Sequence, residues 1–139
     1  MISQIKQVQG RVFEKLLIES GIEEFNGAQG RILYVLWQKD NLPIVELSKR
    51  TGLAKTTLTS MLDRLETNGF LIRALDKSDR RQIRIILTNK ARSMQDKYNQ
   101  VSDDMSTIFY KGFSTEEIIK LEGNLQKILN NLYMEENKR

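Results

Sequence analysis

The 139-residue sequence predicts a mostly helical α+β fold with six helices and one β-hairpin. Apolar residues recur every three or four positions through most of the chain, which is typical of amphipathic helices. Between residues 70 and 87 the pattern changes to two runs rich in branched side chains, 70–75 and 82–87, which predict strands. The polar segment DKSDRR between these runs is then the turn of a hairpin.

The first two helices are indicated by apolar spacing and by capping residues. Residues 3–20 carry the first amphipathic pattern, and Gly21 is expected to end that helix. Asn26 precedes the second amphipathic pattern. Gln29 lies three residues after Asn26, which is the spacing of a capping box. The polar pair at 40–41 is expected to break the second helix.

The next two helices are close together in the chain. Pro43 suits the first turn of a short third helix that runs to Arg50. Gly52 lies in a tight turn, where it is free to take a left-handed conformation. A fourth helix is predicted over residues 54–68, and its apolar residues share one face.

Two longer helices are predicted after the hairpin. Thr88 is placed to cap a fifth helix that continues to about residue 111. Ser114 and Glu117 have the spacing of a capping box for a sixth, which ends near Met134.

Two helices joined by a glycine-containing turn and followed by a hairpin describe a winged helix-turn-helix, here with a two-stranded wing and long terminal helices. The second helix of such a unit enters the major groove of DNA. The fourth predicted helix has threonine and serine on its exposed face, although threonine is a poor helix former. Hydroxyl contacts to phosphates and base edges would explain that choice. The alternative is an ordinary capped helix start.

The predicted wing is rich in cations. Lys77, Arg80 and Arg81 stand on its turn, from which they could reach phosphates or the minor groove. We expect Asp79 to orient Arg81 through an ion pair. A merely solvated turn is the alternative interpretation.

The net charge is concentrated in this region. Residues 49–92 hold eleven Lys/Arg and four Asp/Glu, a formal charge of +7, whereas the remainder of the chain carries −3. A basic centre between mildly acidic ends is what a central nucleic-acid contact requires.

Composition excludes several kinds of chemistry. The chain has no cysteine and no histidine, so thiol switches, Cys/His zinc sites and serine–histidine triads cannot form. We expect no enzyme activity, no cofactor and no metal site. No apolar run has the length of a membrane span, the first residues do not resemble a signal peptide, and a cytoplasmic protein is expected.

The run VELSKRTGLAKTTLTSMLDRLETNGFLIR, followed by DKSDRRQIRIILT, resembles the MarR (multiple-antibiotic-resistance regulator) family of winged-helix transcription regulators. The resemblance covers residues 28–92 most closely and implies one domain over 1–139. Its DNA-binding part would be 28–88, and its helical dimerisation part would be 1–21 and 89–135.

The resemblance also implies roles for particular residues. Arg81 occupies the position of the wing arginine that enters the minor groove in the family. Ala54 stands where members often have a phosphate-contacting serine, so that contact is not carried over. The predicted DNA contacts are Lys55, Thr56, Thr57, Thr59, Ser60, Arg64, Arg73, Lys77, Arg80 and Arg81.

The terminal helices carry apolar stripes that a winged-helix unit does not need for itself. A homodimer interface would cover them, and packing on their own subunit is the alternative. The candidate anchors are Ile5, Val12, Leu125, Ile128 and Leu132.

An effector site is a further expectation. Family members respond to small phenolic or lipophilic molecules, to zinc or to oxidants, and the composition removes the last two here. Phe13, Tyr34 and Trp37 could line a pocket for a small apolar or phenolic effector, although core packing is the simpler interpretation.

Taken together, these features predict a sequence-specific, double-stranded-DNA-binding transcription regulator. It is expected to act as a homodimeric repressor on an inverted-repeat operator. The alternative is a winged-helix protein-interaction module that binds no DNA.

Overall fold

The computed structural model describes residues 1–138, and over this range it confirms a mostly helical fold with a small antiparallel sheet. It forms two compact units, the first being Met1–Met105 and the second beginning at Ser106. In chain order the elements are α1 (Ile2–Glu19), α2 (Gly27–Gln38), β1 (Leu42–Pro43), α3 (Ile44–Thr51), α4 (Lys55–Thr67), β2 (Leu71–Leu75), β3 (Ile83–Leu87), α5 (Asn89–Ser93), α6 (Gln95–Phe109) and α7 (Thr115–Glu136).

The predicted caps are present. The Asn26 side chain accepts a hydrogen bond from the Gln29 amide at 2.8 Å, and the Asn26 amide donates to Gln29 Oε1 at 3.0 Å. A second capping box joins Ser114 and Glu117 at the start of α7. Gly52 ends α3 with φ of 73°, the left-handed conformation that its turn needs.

The sheet contains a strand that the sequence did not predict. β1 pairs with β3 through Leu42 and Ile85 and through Pro43 and Arg84, and the strand order is β1-β3-β2. Pro43 therefore closes an edge strand and precedes α3, rather than lying in the helix. Two residues are too few to show an alternating pattern, so the prediction missed this strand.

The helix predicted from Thr88 to about residue 111 is interrupted at Met94. Thr88 does cap α5, by accepting from the Ala91 amide at 3.3 Å. The Ala91 carbonyl then accepts from the Met94 amide at 3.1 Å and from Trp37 Nε1 at 3.0 Å. This tight turn, fixed by a long-range side-chain bond, separates α5 from α6.

The core of the first unit lies between the winged-helix elements and α1. Leu58, Leu62 and Leu65 place the inner face of α4 in it, as their spacing predicts, and Met61 packs against it at the edge. Tyr98 of α6 is also buried there, and Gly30 of α2 allows its ring to approach closely. α4 is therefore anchored in the core through one face, with its opposite face exposed.

Candidate nucleic-acid interface

The exposed face of α4 is the first part of the site. It carries the five predicted contacts from its first half, Lys55, Thr56, Thr57, Thr59 and Ser60. The hydroxyl of Thr59 donates to the Lys55 carbonyl at 2.8 Å. That side chain therefore presents its oxygen lone pairs and its methyl group to solvent.

The turn before α4 fixes where this face points. Ser48 Oγ donates to the Leu53 carbonyl at 2.8 Å, and Thr51 Oγ1 donates to the Leu47 carbonyl at 2.8 Å. Ala54, the residue before α4, provides no side-chain cap. The helix-turn-helix is thus held by hydroxyl bonds inside the turn.

The wing turn is organised around Asp76, which is buried. Asp76 Oδ1 accepts from the Ser78 amide at 2.8 Å, from Ser78 Oγ at 2.7 Å and from the Asp79 amide at 3.2 Å. Its other oxygen accepts from Arg84 Nε at 2.7 Å. The Ser78 hydroxyl, followed by Arg84, holds the pKa of Asp76 well below its usual value. Sequence analysis missed this role, although Asp followed two residues later by Ser is a recognisable turn signal.

The expected ion pair between Asp79 and Arg81 is present. Arg81 Nε lies 3.1 Å from Asp79 Oδ1, and the Arg81 amide donates to the same oxygen at 3.0 Å. The Arg81 side chain is nevertheless 90% exposed. Its guanidinium is therefore held at one side and open to solvent on the other. Lys77 and Arg80 are exposed on the same turn.

The base of the wing is attached to the loop between α2 and β1. Arg84 Nη1 donates to the Asn41 carbonyl at 2.5 Å. Asp40 accepts from the Leu87 amide at 2.9 Å and pairs with Arg92 Nη2 at 2.7 Å. These contacts explain why β1, although very short, stays on the sheet.

The two remaining predicted contacts differ in their surroundings. Arg64 is exposed and lines a surface groove of about 400 Å³ beside Thr56, Thr57 and Ser60. Arg73, by contrast, is paired with the carboxylates of Asp63 and Glu66 of its own chain. The structure therefore leaves most of the predicted cations exposed, whereas Arg73 is partly buried and engaged by two carboxylates.

The predicted anchors of a dimer lie on two helices. On α1, Ile5 is 47% exposed and Val12 is partly buried. On α7, Leu125, Ile128 and Leu132 are 43%, 47% and 61% exposed. Within Thr115–Glu136 no side chain is buried, so an apolar stripe of this helix faces solvent in the single chain.

The three aromatic residues predicted to line an effector pocket surround Tyr98. The ring centroids of Phe13, Tyr34 and Trp37 lie 5.7, 6.2 and 5.2 Å from that of Tyr98. Phe13 lines a groove of about 690 Å³, whereas Tyr34 and Trp37 line a separate hollow of about 280 Å³. The Tyr98 ring thus occupies the space between them, and burial raises its pKa to about 12.

Among the helices of residues 1–138, none combines the length and the hydropathy of a membrane-spanning segment. Over the same range, His, Cys, Asp and Glu side chains form no cluster that could hold a metal ion.

The fold and these surfaces define a winged helix-turn-helix protein. The model of the MarR family matches residues 25–83. A solved structure of a mutant MarR from Escherichia coli complexed with operator DNA is 26% identical, with a TM-score of 0.81 over 92% of this chain and 90% of that one. Residues 25–83 therefore match the MarR family, which confirms the resemblance seen in the sequence.

Two further relatives are similar over different lengths. The HTH-type transcriptional regulator TtmR of Methylorubrum extorquens is 39% identical over 88 residues. That alignment covers 63% of this chain but only 44% of TtmR. The structure of BpsR from Bordetella bronchiseptica, whose DNA binding is regulated by 6-hydroxynicotinic acid, has a TM-score of 0.82 over 91% of this chain and 89% of that one. At 19% identity, this second likeness shows the fold alone.

Proposed function

We propose that this protein is a DNA-binding transcription regulator that acts as a homodimer, most simply as a repressor that covers its operator. The observation that carries the proposal is that exposed hydroxyls of α4 and exposed wing cations belong to one winged unit. Hydroxyl and guanidinium groups are the ones that proteins use on base edges and phosphates.

In the proposed complex, α4 and the wing contact different grooves of the DNA. α4 enters the major groove, where Thr56, Thr59 and Ser60 meet base edges. The wing lies over the adjacent minor groove, where Arg81 is attracted by the strong negative potential of narrow A·T tracts. Asp79 keeps the Arg81 guanidinium in one orientation before DNA arrives, which lowers the entropy lost on binding.

Salt dependence of binding tests this function directly. Each phosphate neutralised should contribute about −0.9 to the slope of log K against log salt concentration, so several contacts give a steep loss of affinity. The matched comparison is a variant with Lys77, Arg80 and Arg81 changed to glutamine. Its slope should be shallower, because the wing then neutralises fewer phosphates. Absence of any DNA affinity at low salt would favour the alternative, a winged-helix module that binds another protein.

The homodimer is proposed from the apolar stripe of α7. A 22-residue helix with no buried side chain gains little stability from the single chain, because tertiary packing provides most of the stability of helices. A second copy is the proposed cover for Leu125, Ile128 and Leu132, and also for Ile5 of α1. Two-fold pairing would present two recognition helices to half-sites about one helical turn, roughly 34 Å, apart.

A small effector is proposed for the groove lined by Phe13 and Tyr98. Arg11 and Arg31 also line it, so aromatic faces and cations meet there. That combination suits a phenolic or aromatic acid, and 6-hydroxynicotinic acid, which regulates BpsR, is a suitable first probe. Because the single tryptophan, Trp37, contacts Tyr98, its fluorescence should change on titration. An unchanged spectrum together with unchanged DNA affinity would argue against this probe and this groove.

A further inference from the structure

We infer that Arg73 is a positioning residue, which fastens the recognition helix α4 to the wing strand β2, and is not a phosphate contact. The inference rests on the proposed DNA-binding function. It concerns how the two DNA-reading elements keep a fixed separation.

The contacts of Arg73 join the two elements at several points. Its Nη2 lies 2.9 Å from Glu66 Oε1 and also pairs with Asp63 Oδ1. Its Nε donates to Glu66 Oε1 at 3.3 Å, and its backbone amide donates to Glu66 Oε2 at 3.2 Å. Asp63 and Glu66 are three positions apart on α4, so they share one face of the helix. One residue of β2 is therefore held by both its main chain and its side chain.

The burial of the three side chains favours a lasting contact over a mobile surface pair. The Arg73 side chain is 24% exposed, against 40% for Glu66 and 60% for Asp63. Arg73 lies in the middle of β2, opposite Ile85 of β3, so its backbone cannot move without the wing hairpin. Hydrogen bonds to Glu66 and then to Asp63 raise the pKa of Arg73, and the bond from Arg73 lowers the pKa of Glu66.

The charge of the cluster argues against a phosphate partner. Two carboxylates and one guanidinium leave this group with a formal charge of −1. A phosphate that drew Arg73 away would leave Asp63 and Glu66 unpaired close to its own negative charge, which is unfavourable. Arg81 has one carboxylate partner and a largely exposed side chain, so it is free to meet DNA.

A conservative substitution of Arg73 distinguishes a positioning residue from a phosphate contact. Arg73→Lys keeps the positive charge but loses the planar fork that reaches two carboxylates at once. A positioning role predicts that Arg73→Lys weakens operator binding by about tenfold while affinity for random-sequence DNA and the salt slope stay unchanged. The matched control, Arg50→Lys in the exposed ion pair with Glu46 within α3, should keep near-normal operator affinity. Operator affinity kept by Arg73→Lys would overturn the inference.

Exchange of the charges at residues 66 and 73 provides a second test of the inference. Arg73→Glu alone should bind the operator poorly, because three carboxylates then face one another. The double variant Glu66→Arg with Arg73→Glu restores an ion pair between α4 and β2, and it should recover most of the lost affinity. A phosphate-contacting Arg73 predicts no recovery, since residue 73 stays negative in both variants.

Thermal unfolding of the same variants keeps the inference testable apart from DNA. The exchanged pair should unfold at a higher temperature than Arg73→Glu alone, which requires a positive coupling in the double-mutant cycle. No coupling in the cycle would overturn the inference. A wild-type protein that binds no DNA would overturn the proposed function, whatever the cycle shows.

Discussion

At the scale of single residues, the molecule depends on a few positions whose surroundings leave little freedom. Gly30 and Asp76 are the clearest cases. Gly30 is buried against two aromatic rings, and Asp76 is buried at the base of the wing turn. Each leads to a prediction with a matched control in the same chain.

Gly30→Ala should destabilise the fold. An added Cβ would lie 2.6 Å from Tyr98 Cε2 and 3.1 Å from Phe25 Cε2, so packed rings would have to move. Overpacking of this kind costs about 1–3 kcal/mol. Gly10→Ala is the control, because its Cβ would have no neighbour within 4 Å and alanine favours the helix by about 0.5–1 kcal/mol. Chemical denaturation should therefore move the two midpoints in opposite directions, and a harmless Gly30→Ala would contradict the packing described here.

Asp76 predicts a defined dependence of wing stability on pH. Its pKa is lowered in the folded chain from an unfolded value of about 3.9, because Ser78 and Arg84 bind the carboxylate. A lowered pKa stabilises the fold above the unfolded value, and the stabilisation is lost as pH falls towards the folded value. The difference in unfolding temperature between wild type and Asp76→Asn should thus be constant from about pH 8 to pH 5 and shrink below about pH 4. The exposed Asp96→Asn is the control, and a difference that grows below pH 4 would refute the assignment.

At the scale of elements, the features that could be predicted from the sequence are those that depend on neighbouring residues. Apolar spacing indicated every long helix, and both capping boxes form as predicted. The missed features depend on distant partners. β1 needs Asp40 and Arg84 to hold it, and the interruption at Met94 involves Trp37, which is 54 positions from its acceptor Ala91. The two members of each such pair are far apart in the sequence, so a pattern of neighbouring residues cannot reveal their contact.

The same limit applies to the candidate nucleic-acid interface. The hydroxyls of α4 and the wing cations could be predicted, because exposure follows from helical spacing and from the turn. The pairing of Arg73 could not, since Asp63 and Glu66 approach it only when β2 packs beside α4. Its basic side chain alone suggested a DNA contact.

Trp37→Phe tests the bond that separates α5 from α6. The substitution keeps an aromatic ring beside Tyr98 but removes the indole N–H that donates to the buried Ala91. Loss of one such bond should cost about 0.5–1.5 kcal/mol of unfolding free energy. Tyr34→Phe is the control in the same aromatic cluster and should cost less. Equal losses for the two variants would mean that the indole bond contributes nothing.

At the scale of the whole molecule, the proposed function combines a winged helix-turn-helix with a terminal helix whose exposed apolar stripe a second copy is proposed to cover. On this proposal, the +7 charge of residues 49–92 would supply general affinity for DNA, and pairing of two copies would lengthen the contact. A single recognition helix reads too few base pairs to select one site in a genome. Operator recognition should therefore be lost whenever the homodimer is lost.

Substitution on α7 separates dimer formation from DNA contact. Ile128→Glu with Leu132→Glu places two charges on the apolar stripe and should give a 16.2 kDa monomer in sedimentation. Its operator affinity should fall by at least 100-fold, because only one half-site contact remains. Asn130→Glu, on the opposite side of the same helix, should remain dimeric. A monomeric double variant that still binds an operator tightly would contradict the role of the homodimer.

Selection of bound DNA from a random pool with the wild-type protein shows directly whether this chain recognises a two-fold symmetric operator. A homodimer that reads DNA with α4 and the wing should enrich an inverted repeat whose half-site centres lie about one helical turn apart, with A·T-rich sequence where the wings reach the minor groove. Arg81→Ala should then weaken binding to the A·T-rich flanks by about 1–3 kcal/mol. A pool without any enriched sequence, or with an enriched sequence that lacks two-fold symmetry, would contradict operator recognition by a homodimer.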